Sequence, residues 1–336
     1  MMQRVNLCAT RFRILRNNWA NIYLDIIQAF EELGFDVRKS RFLDLPDTPE
    51  HISEEILDLP EDIYLYNHVT INWLKNENAF LGKKTFIVKP TGPTHKHFTI
   101  DTVGYGPCSS IAYKKPAYEG IETEEFFNTT VKEIIYKKLN KWSDREDIKL
   151  TERAPYIPAN HILVLGQMPG DETVTQMSFG NHFDKLLNIV KKLEETVSDP
   201  VVIKLHPTLE VETSKAGTWE SVYLPIVKKW SDKGHTVITT GVSIHDVLPN
   251  TKVAILENST AGIECFLHEV PIISYGFPEY HWETKDLRHL DLLPEYVTDL
   301  SWWDRKRARE WATWYSTKYQ CYDYPSTVAR IKELLL

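Results

Sequence analysis

The sequence has no run approaching the ~20 consecutive apolar residues that a membrane-spanning helix needs. Its first residues, Met1-Met2-Gln3-Arg4-Val5-Asn6, lack the apolar core of a secretory signal, so a cytoplasmic location is expected. The four cysteines, Cys8, Cys108, Cys265 and Cys321, lie far apart and form no CxxC pair. That argues against a disulfide framework and fits reduced, buried thiols. Neither a GxxxxGK[ST] loop nor a GxGxxG turn is present, which removes the common ATPase and dinucleotide-binding patterns. There is no HExxH and no paired-cysteine pattern, and the twelve His are scattered. The common metal-binding patterns are thus not represented, and most of the His are expected to be structural or exposed. Internal repeats and low-complexity tracts are absent. The net charge of −8 weighs against a broad nucleic-acid surface and leaves a local basic cleft open.

What is present is an ordinary globular composition, 42% hydrophobic and 26% charged over 336 residues, for which two domains is the natural division. Aromatics reach 12%, with ten Trp, a content that suits carbohydrate contact and a Trp-rich core equally. Short apolar runs alternate with helical spacing. Strands are expected at Val5–Ala9, Phe35–Arg38, Ile63–Tyr66 and Thr85–Val88. A helix capped by Asn17 or Asn18 should run to Leu33, where Gly34 stops it, and another should end near Leu81-Gly82. This alternation implies a parallel sheet with crossover helices. Lys89–Ser110 breaks the rhythm and reads as a long loop beyond a strand end, carrying His95, Lys96, His97 and Asp101; loops of that length are often functional. A helix over Glu124–Trp142 follows. The polar, proline-bearing stretch Ser143–Asn160 is the candidate linker.

The strand pattern then restarts. Strands are expected at His161–Gly166, Val201–Leu205, Thr236–Thr239, Val253–Leu256 and Val270–Ser274. Helices fall between them, at Phe183–Val197, Trp219–Lys233 and Ile244–Leu248, with a short one after Asn258-Ser259-Thr260-Ala261-Gly262. The tail from Trp302 reads as helical, with Trp303, Ala308, Trp311, Ala312 and Tyr315 on one stripe. Three strand ends in this half should meet at one edge of a parallel sheet: Gln167–Asp171, His206-Pro207 and Asn258–Gly262. Together they offer a carboxylate, an imidazole and a small-residue helix start whose unsatisfied N–H groups would suit a phosphate. Each has a plainer alternative: Asp171 as a helix cap, His206-Pro207 as a turn, and Ser259 or Thr260 as the cap of an ordinary helix.

In this order the motifs Gln-x-x-x-Asp (Gln167, Asp171), Lys-x-His-Pro (Lys204, His206, Pro207), Asn-Ser-Thr-x-Gly-x-Glu (Asn258, Ser259, Thr260, Gly262, Glu264) and Val-Pro-Ile (from Val270) resemble the capsule polysaccharide biosynthesis family. That family contains retaining Kdo transferases similar in organisation to the two-domain GT-B glycosyltransferases. The resemblance covers residues 160 to 280 well and 85 to 110 thinly, the latter through Phe98–Gly104 with Ser109 and Ser110. Lys89-Pro90-Thr91-Gly92 stands where the family carries an acidic residue.

The resemblance implies an α/β fold of two Rossmann-like domains facing a cleft. Residues 1–155 would form the acceptor-side domain, 156–315 the nucleotide-sugar domain, and 316–336 a helix returning to the first. It implies a metal-independent glycosyltransferase, with no bound cofactor and no metal expected, taking a sugar from a nucleotide donor, CMP-Kdo-like or UDP-linked, to a glycan or glycolipid. Asp171 would be the nucleophile and Gln167 would orient the donor. Lys204, His206, Pro207, Asn258, Ser259, Thr260, Gly262 and Glu264 would hold the nucleotide. His95, His97 and Asp101 are the acceptor-side candidates. Two other functions stay open: a phage-type DNA glycosyltransferase acting on modified bases, and a non-catalytic nucleotide- or carbohydrate-binding protein. The sequence leaves the oligomeric state undetermined.

Overall fold

A computed structural model gives the structure of the protein and describes residues 3–8, 19–39, 63–68, 84–141, 143, 156–175, 177–178, 180–239 and 241–336. The Asn17 or Asn18 cap, the helix ending near 81–82 and most of the expected linker (144–155) lie outside the described residues. The chain divides into two compact units. One comprises Met1–Pro116, Leu139–Asp144 and Thr313–Leu336; the other comprises Ala117–Lys138 and Arg145–Ala312. The helix at 124–136 thus belongs to the second unit, although it precedes the proline-bearing stretch.

The strands are β1 (Arg4–Cys8), β2 (Asp36–Lys39), β3 (Ile63–Asn67), β4 (Lys84–Pro90), β5 (Phe98–Asp101), β6 (His161–Leu165), β7 (Val201–Lys204), β8 (Thr236–Ile238), β9 (Thr251–Leu256), β10 (Ile272–Ser274), β11 (Lys285–Asp286) and β12 (Gln320–Cys321). The principal helices are α1 (Trp19–Glu32), α2 (124–136), α3 (Glu172–Thr175), α4 (His182–Thr196), α5 (Leu224–Asp232), α6 (Ala261–Leu267), α7 (Arg305–Trp314) and α8 (Tyr324–Leu335).

The first unit holds a six-stranded sheet in the order β12-β5-β4-β3-β1-β2. The four strands from β2 to β4 are parallel. On α1, Ile22, Ile26, Ala29 and Phe30 recur at helical spacing and are buried against Val5, Leu7, Leu65, Phe86 and Val88. Gly34, at φ 86°, ends α1 in the left-handed conformation that glycine adopts without a Cβ clash. Two features differ from the sequence expectation. The stretch expected as a long loop contains β5, which runs antiparallel to β4; its alternation of Phe98 and Ile100 with Thr99 and Asp101 is a strand pattern only four residues long. The tail expected as wholly helical contains β12, antiparallel to β5. Beyond it α8, opened by a capping box between Asp323 and Ser326, places Val328 and Ile331 in the first core. The C-terminal segment therefore crosses back into the first unit.

The second unit's sheet runs β11-β10-β9-β6-β7-β8, with every pair parallel. Counted from β6 this is 6-5-4-1-2-3, the strand order of a doubly wound dinucleotide-binding fold. One face packs Ile162, Val164, Val201, Ile203, Val253 and Ile255 against Leu186, Val190 and Leu193 of α4 and Trp230 of α5. The other buries Leu163, Val202, Ala254, Leu256 and Ile272. Trp311 of α7 is fully buried and meets Phe266 of α6 with ring centroids 4.8 Å apart, so the expected aromatic stripe buttresses the short helix that follows β9.

Candidate active site

The order in which strands are added reverses between β6 and β9, and ligands of such sheets bind at that point beyond the carboxyl ends of the strands. Two buried amides join the two loops there. Gln167 Nε2 donates to Asn258 Oδ1 at 2.8 Å, and Gln167 Oε1 accepts the Asn258 N–H at 2.9 Å. Asn258 Nδ2 donates to the Thr173 carbonyl at 2.8 Å. Gln167 and Asn258, named from sequence as donor-orienting and nucleotide-binding residues, are thus brought together as a reciprocal pair that fixes the geometry of the crevice.

Asp171 follows β6 in the same loop and is partly exposed. Its Oδ1 accepts the Thr173 N–H at 2.8 Å and the Thr173 hydroxyl at 2.6 Å. The capping contact weighed against catalysis is therefore formed, and it orients the carboxylate at the start of α3.

Lys204 ends β7, paired with Leu165 of β6. It is only 7% exposed, and no hydrogen bond or ion pair to its ammonium is formed among the described residues. Burial lowers its pKa from 10.5 to about 8, because a desolvated ammonium is disfavoured. Two residues on, His206 accepts the Thr208 N–H at Nδ1 (3.3 Å), with the Thr208 hydroxyl 2.9 Å from the same atom. A neutral ring held this way carries its proton on Nε2. Pro207 follows it in the turn.

The turn after β9 departs from expectation in one respect. The Ala261 N–H goes to Ser259 Oγ at 3.2 Å, the Gly262 N–H to the Ser259 carbonyl at 3.1 Å and the Ile263 N–H to the Thr260 carbonyl at 3.0 Å. These amides at the start of α6 are satisfied within the turn, because it closes in tight i→i+3 fashion. Thr260 is partly exposed, while Gly262 and Glu264 are buried. Gly262 has a packing reason: a Cβ there would lie 2.2 Å from the Tyr280 hydroxyl oxygen and 2.3 Å from Tyr280 Cζ. Tyr280 in turn donates to the Ser259 carbonyl, tying the loop after β10 to the Ser-Thr turn.

The sequence patterns missed the charged cluster beside the amide pair. Glu257, immediately after β9, is fully buried. It accepts from His182 Nδ1 and Lys185 Nζ of α4 and from the Ser178 hydroxyl. Desolvation pushes its pKa up, but the bonds from His182, Lys185 and Ser178 outweigh it and hold the carboxyl below the usual range. His182 Nε2 accepts the Gln167 N–H at 2.9 Å, which places the ring proton on Nδ1. The available signal was Glu257 itself, an acid closing an apolar strand. Among the described residues no three His, Cys, Asp or Glu side chains gather as a metal ion would need.

The acceptor-side candidates lie in the first unit. Asp101 is fully buried and organises its loop. Its Oδ1 accepts from Val103 N (2.7 Å) and Gly104 N (3.1 Å). Its Oδ2 accepts from Ser110 N (3.0 Å), Ser110 Oγ (2.5 Å) and the Tyr319 hydroxyl (2.7 Å). His97 is buried, with Nδ1 2.8 Å from Thr94 Oγ1. Burial, then the neighbouring His95 and Lys96, lower its pKa to about 3, against an opposing pull from Asp323, so the ring is neutral near pH 7. His95 lies in the β4–β5 turn, partly buried.

No helix among the described residues is long and apolar enough to cross a membrane. Among curated proteins none matches this chain significantly. Two solved structures share its fold over the whole length. The β-Kdo 2,4 transferase of Thermosulfurimonas dismutans KpsC superposes with a TM-score of 0.60 at 16% identity, covering 100% of this chain and 99% of that one. The β-Kdo 2,7 transferase of the same KpsC gives 0.53 at 13% identity, covering 100% of both chains. The fold is accordingly GT-B-like, with two Rossmann-like domains. The family model for capsule polysaccharide biosynthesis protein matches residues 99–287, more than half of the chain and all three strand ends described above. The chain belongs to the capsule polysaccharide biosynthesis protein family.

Proposed function

We propose that this protein is a glycosyltransferase that moves a sugar from a nucleotide-sugar donor to a glycan or glycolipid acceptor. The observation that carries the proposal is Lys204: a buried ammonium without a partner among the described residues, at the carboxyl edge of a doubly wound sheet. A diphosphate or monophosphate oxygen would supply the missing counter-charge. The Thr260 hydroxyl offers a further donor at the same edge, where His206 also stands. Lys204 supplies positive charge for the leaving nucleotide, so the proposed step uses no metal.

In the proposed chemistry the Asp171 carboxylate attacks the anomeric carbon. The bond to the nucleotide's phosphate oxygen breaks, and that oxygen leaves with the electron pair. The acceptor hydroxyl then attacks the same carbon, loses its proton and releases the carboxylate, so two inversions retain configuration. The Thr173 contacts to Asp171 Oδ1 support a fixed orientation for the attack. The Gln167–Asn258 pair holds the two loops at the spacing in which they fold.

The test is a thermal-shift and calorimetric screen of CMP, UDP and GDP, followed by donor hydrolysis with the nucleotide that binds. A nucleotide-dependent rise in stability with donor turnover is expected. Binding without any donor hydrolysis or transfer would make the protein a non-catalytic binder, and no response to any nucleotide would overturn the proposal.

A further inference from the structure

The first unit's sheet has one apolar face and one polar face. Pleating and register place Asn6, Tyr64, Tyr66, Lys89, Thr99 and Asp101 together on the face opposite Val88 and Ile100. All six are buried. Asp101 is fully engaged within its loop, as described above. Lys89 is different. It is 9% exposed at the carboxyl end of β4, and its ammonium forms no hydrogen bond or ion pair among the described residues. It lies over the Tyr105 ring, with Nζ 5.1 Å from the centroid. Tyr105 is itself buried, with the His68 ring edge-on at 5.2 Å. In the turn that follows β4, His95 Nδ1 is enclosed without a hydrogen-bond partner among the described residues.

A π face attracts a cation only weakly, by less than an ammonium loses on leaving water. The imbalance is what an anionic ligand would correct. Asp101, the nearest acid in the hairpin sequence, has its oxygens committed to five donors.

We propose that Lys89, with Tyr105 beneath its ammonium and His95 in the adjoining turn, forms a binding site for a carboxylate or phosphate group. That the group belongs to the sugar acceptor rests on the glycosyltransferase reading; the anion site itself does not. The acceptor class is then an acidic glycan or a phosphate-bearing one rather than a neutral sugar.

The test uses the full chain and three probes: methyl glucuronide, glucose 6-phosphate and neutral methyl glucoside. Calorimetric or NMR titration should show at least about tenfold tighter binding of one or both anionic probes than of the neutral one, and which of the two binds separates carboxylate from phosphate recognition. Lys89→Met should abolish that preference without lowering the urea midpoint, Lys89→Arg should keep most of it, and both should retain the wild-type nucleotide response. Equal binding of all three probes by wild type, or an anion preference that survives Lys89→Met, would overturn the site. A lowered urea midpoint in Lys89→Met restored in Lys89→Arg, with no anion preference in wild type, would assign Lys89 to packing on Tyr105. Loss of the glycosyltransferase reading would show separately, as no nucleotide response in wild type alongside an intact anion preference.

Discussion

Replacing Lys204 with Met should stabilise the protein and weaken nucleotide binding, two effects of opposite sign from one side chain. Met keeps most of the apolar stem and removes the charge. Burial lowers the Lys204 pKa from 10.5 to about 8, a displacement equivalent to about 3 kcal/mol against the folded state. The pH dependence follows from the direction of the shift. Below about pH 8 the ammonium is protonated in both folded and unfolded chains, and the full penalty applies. Between about 8 and 10.5 the unfolded chain holds more protons than the folded one, so stability rises with pH as the penalty fades. Urea unfolding at pH 7 should therefore show Lys204→Met more stable than wild type by up to about 3 kcal/mol, with the gap narrowing at pH 10. Calorimetry with the binding nucleotide should show a loss of about 1.5–3 kcal/mol, the usual worth of a hydrogen bond to a charged group. A Met variant less stable than wild type at pH 7 would mean that Lys204 already has a compensating partner. Unchanged nucleotide affinity would remove it from the site.

Three further substitutions test neighbouring parts of the site. Asp171→Asn keeps a capping oxygen and should fold and bind nucleotide normally while losing turnover by several orders of magnitude, since an amide oxygen is a poor nucleophile; near wild-type turnover would leave Asp171 as a cap alone. Gly262→Ala should lower stability by about 1–3 kcal/mol through overpacking against Tyr280, whereas Gly170→Ala, with nothing within 4 Å of the added Cβ, should be close to neutral; equal urea midpoints would show that the Tyr280 contact yields. Glu257→Gln should cost about 3–5 kcal/mol near pH 7 by leaving Lys185 and His182 without their anion. Because the Glu257 pKa is depressed, its contribution is present above the unfolded value near 4.5 and is lost as pH falls through the lower folded value, so acid titration should bring the two proteins together.

Much of the second unit was legible from periodicity. Apolar runs at β6, β7 and β9 are bounded by small or polar residues, and the helices between them carry stripes at helical spacing, so a parallel sheet with converging loops followed from α/β topology, while the strand order did not. The family motifs drew attention to Gln167 and Asn258, but their reciprocal bond was not legible. An amide pair 91 residues apart in sequence leaves no local pattern. His182 was hidden for a related reason: it opens α4 behind the Asn181 cap, which accepts from Phe183 and Asp184, and a histidine at such a position reads as a surface residue until Glu257 is placed beside it. β5 and β12 were missed because two- to four-residue strands are too short for alternation to stand out from loop sequence. Glycine at 262 looked like a phosphate-loop residue, and only Tyr280, eighteen positions on, shows why a side chain would clash there.

The internal bonding of the Ser-Thr turn changes where an anion would find its charge. Had the N–H groups of Ala261, Gly262 and Ile263 pointed outward, the start of α6 would have supplied dipolar stabilisation with no buried ion at all. They are instead closed on Ser259 and Thr260, and a seven-residue helix has a small macrodipole to offer. The work of balancing a phosphate then falls to a full charge. In the proposed site a buried lysine would perform it at the expense of stability when the site is empty, and the gain would return only with the ligand. The same logic applies to Lys89 in the other sheet. In each unit a strand carries, at or next to its carboxyl end, an ammonium that the fold leaves without an anionic partner among the described residues, and in each the uncompensated charge is a stronger pointer to a ligand than any loop motif, because structural needs alone would favour an apolar side chain at that position.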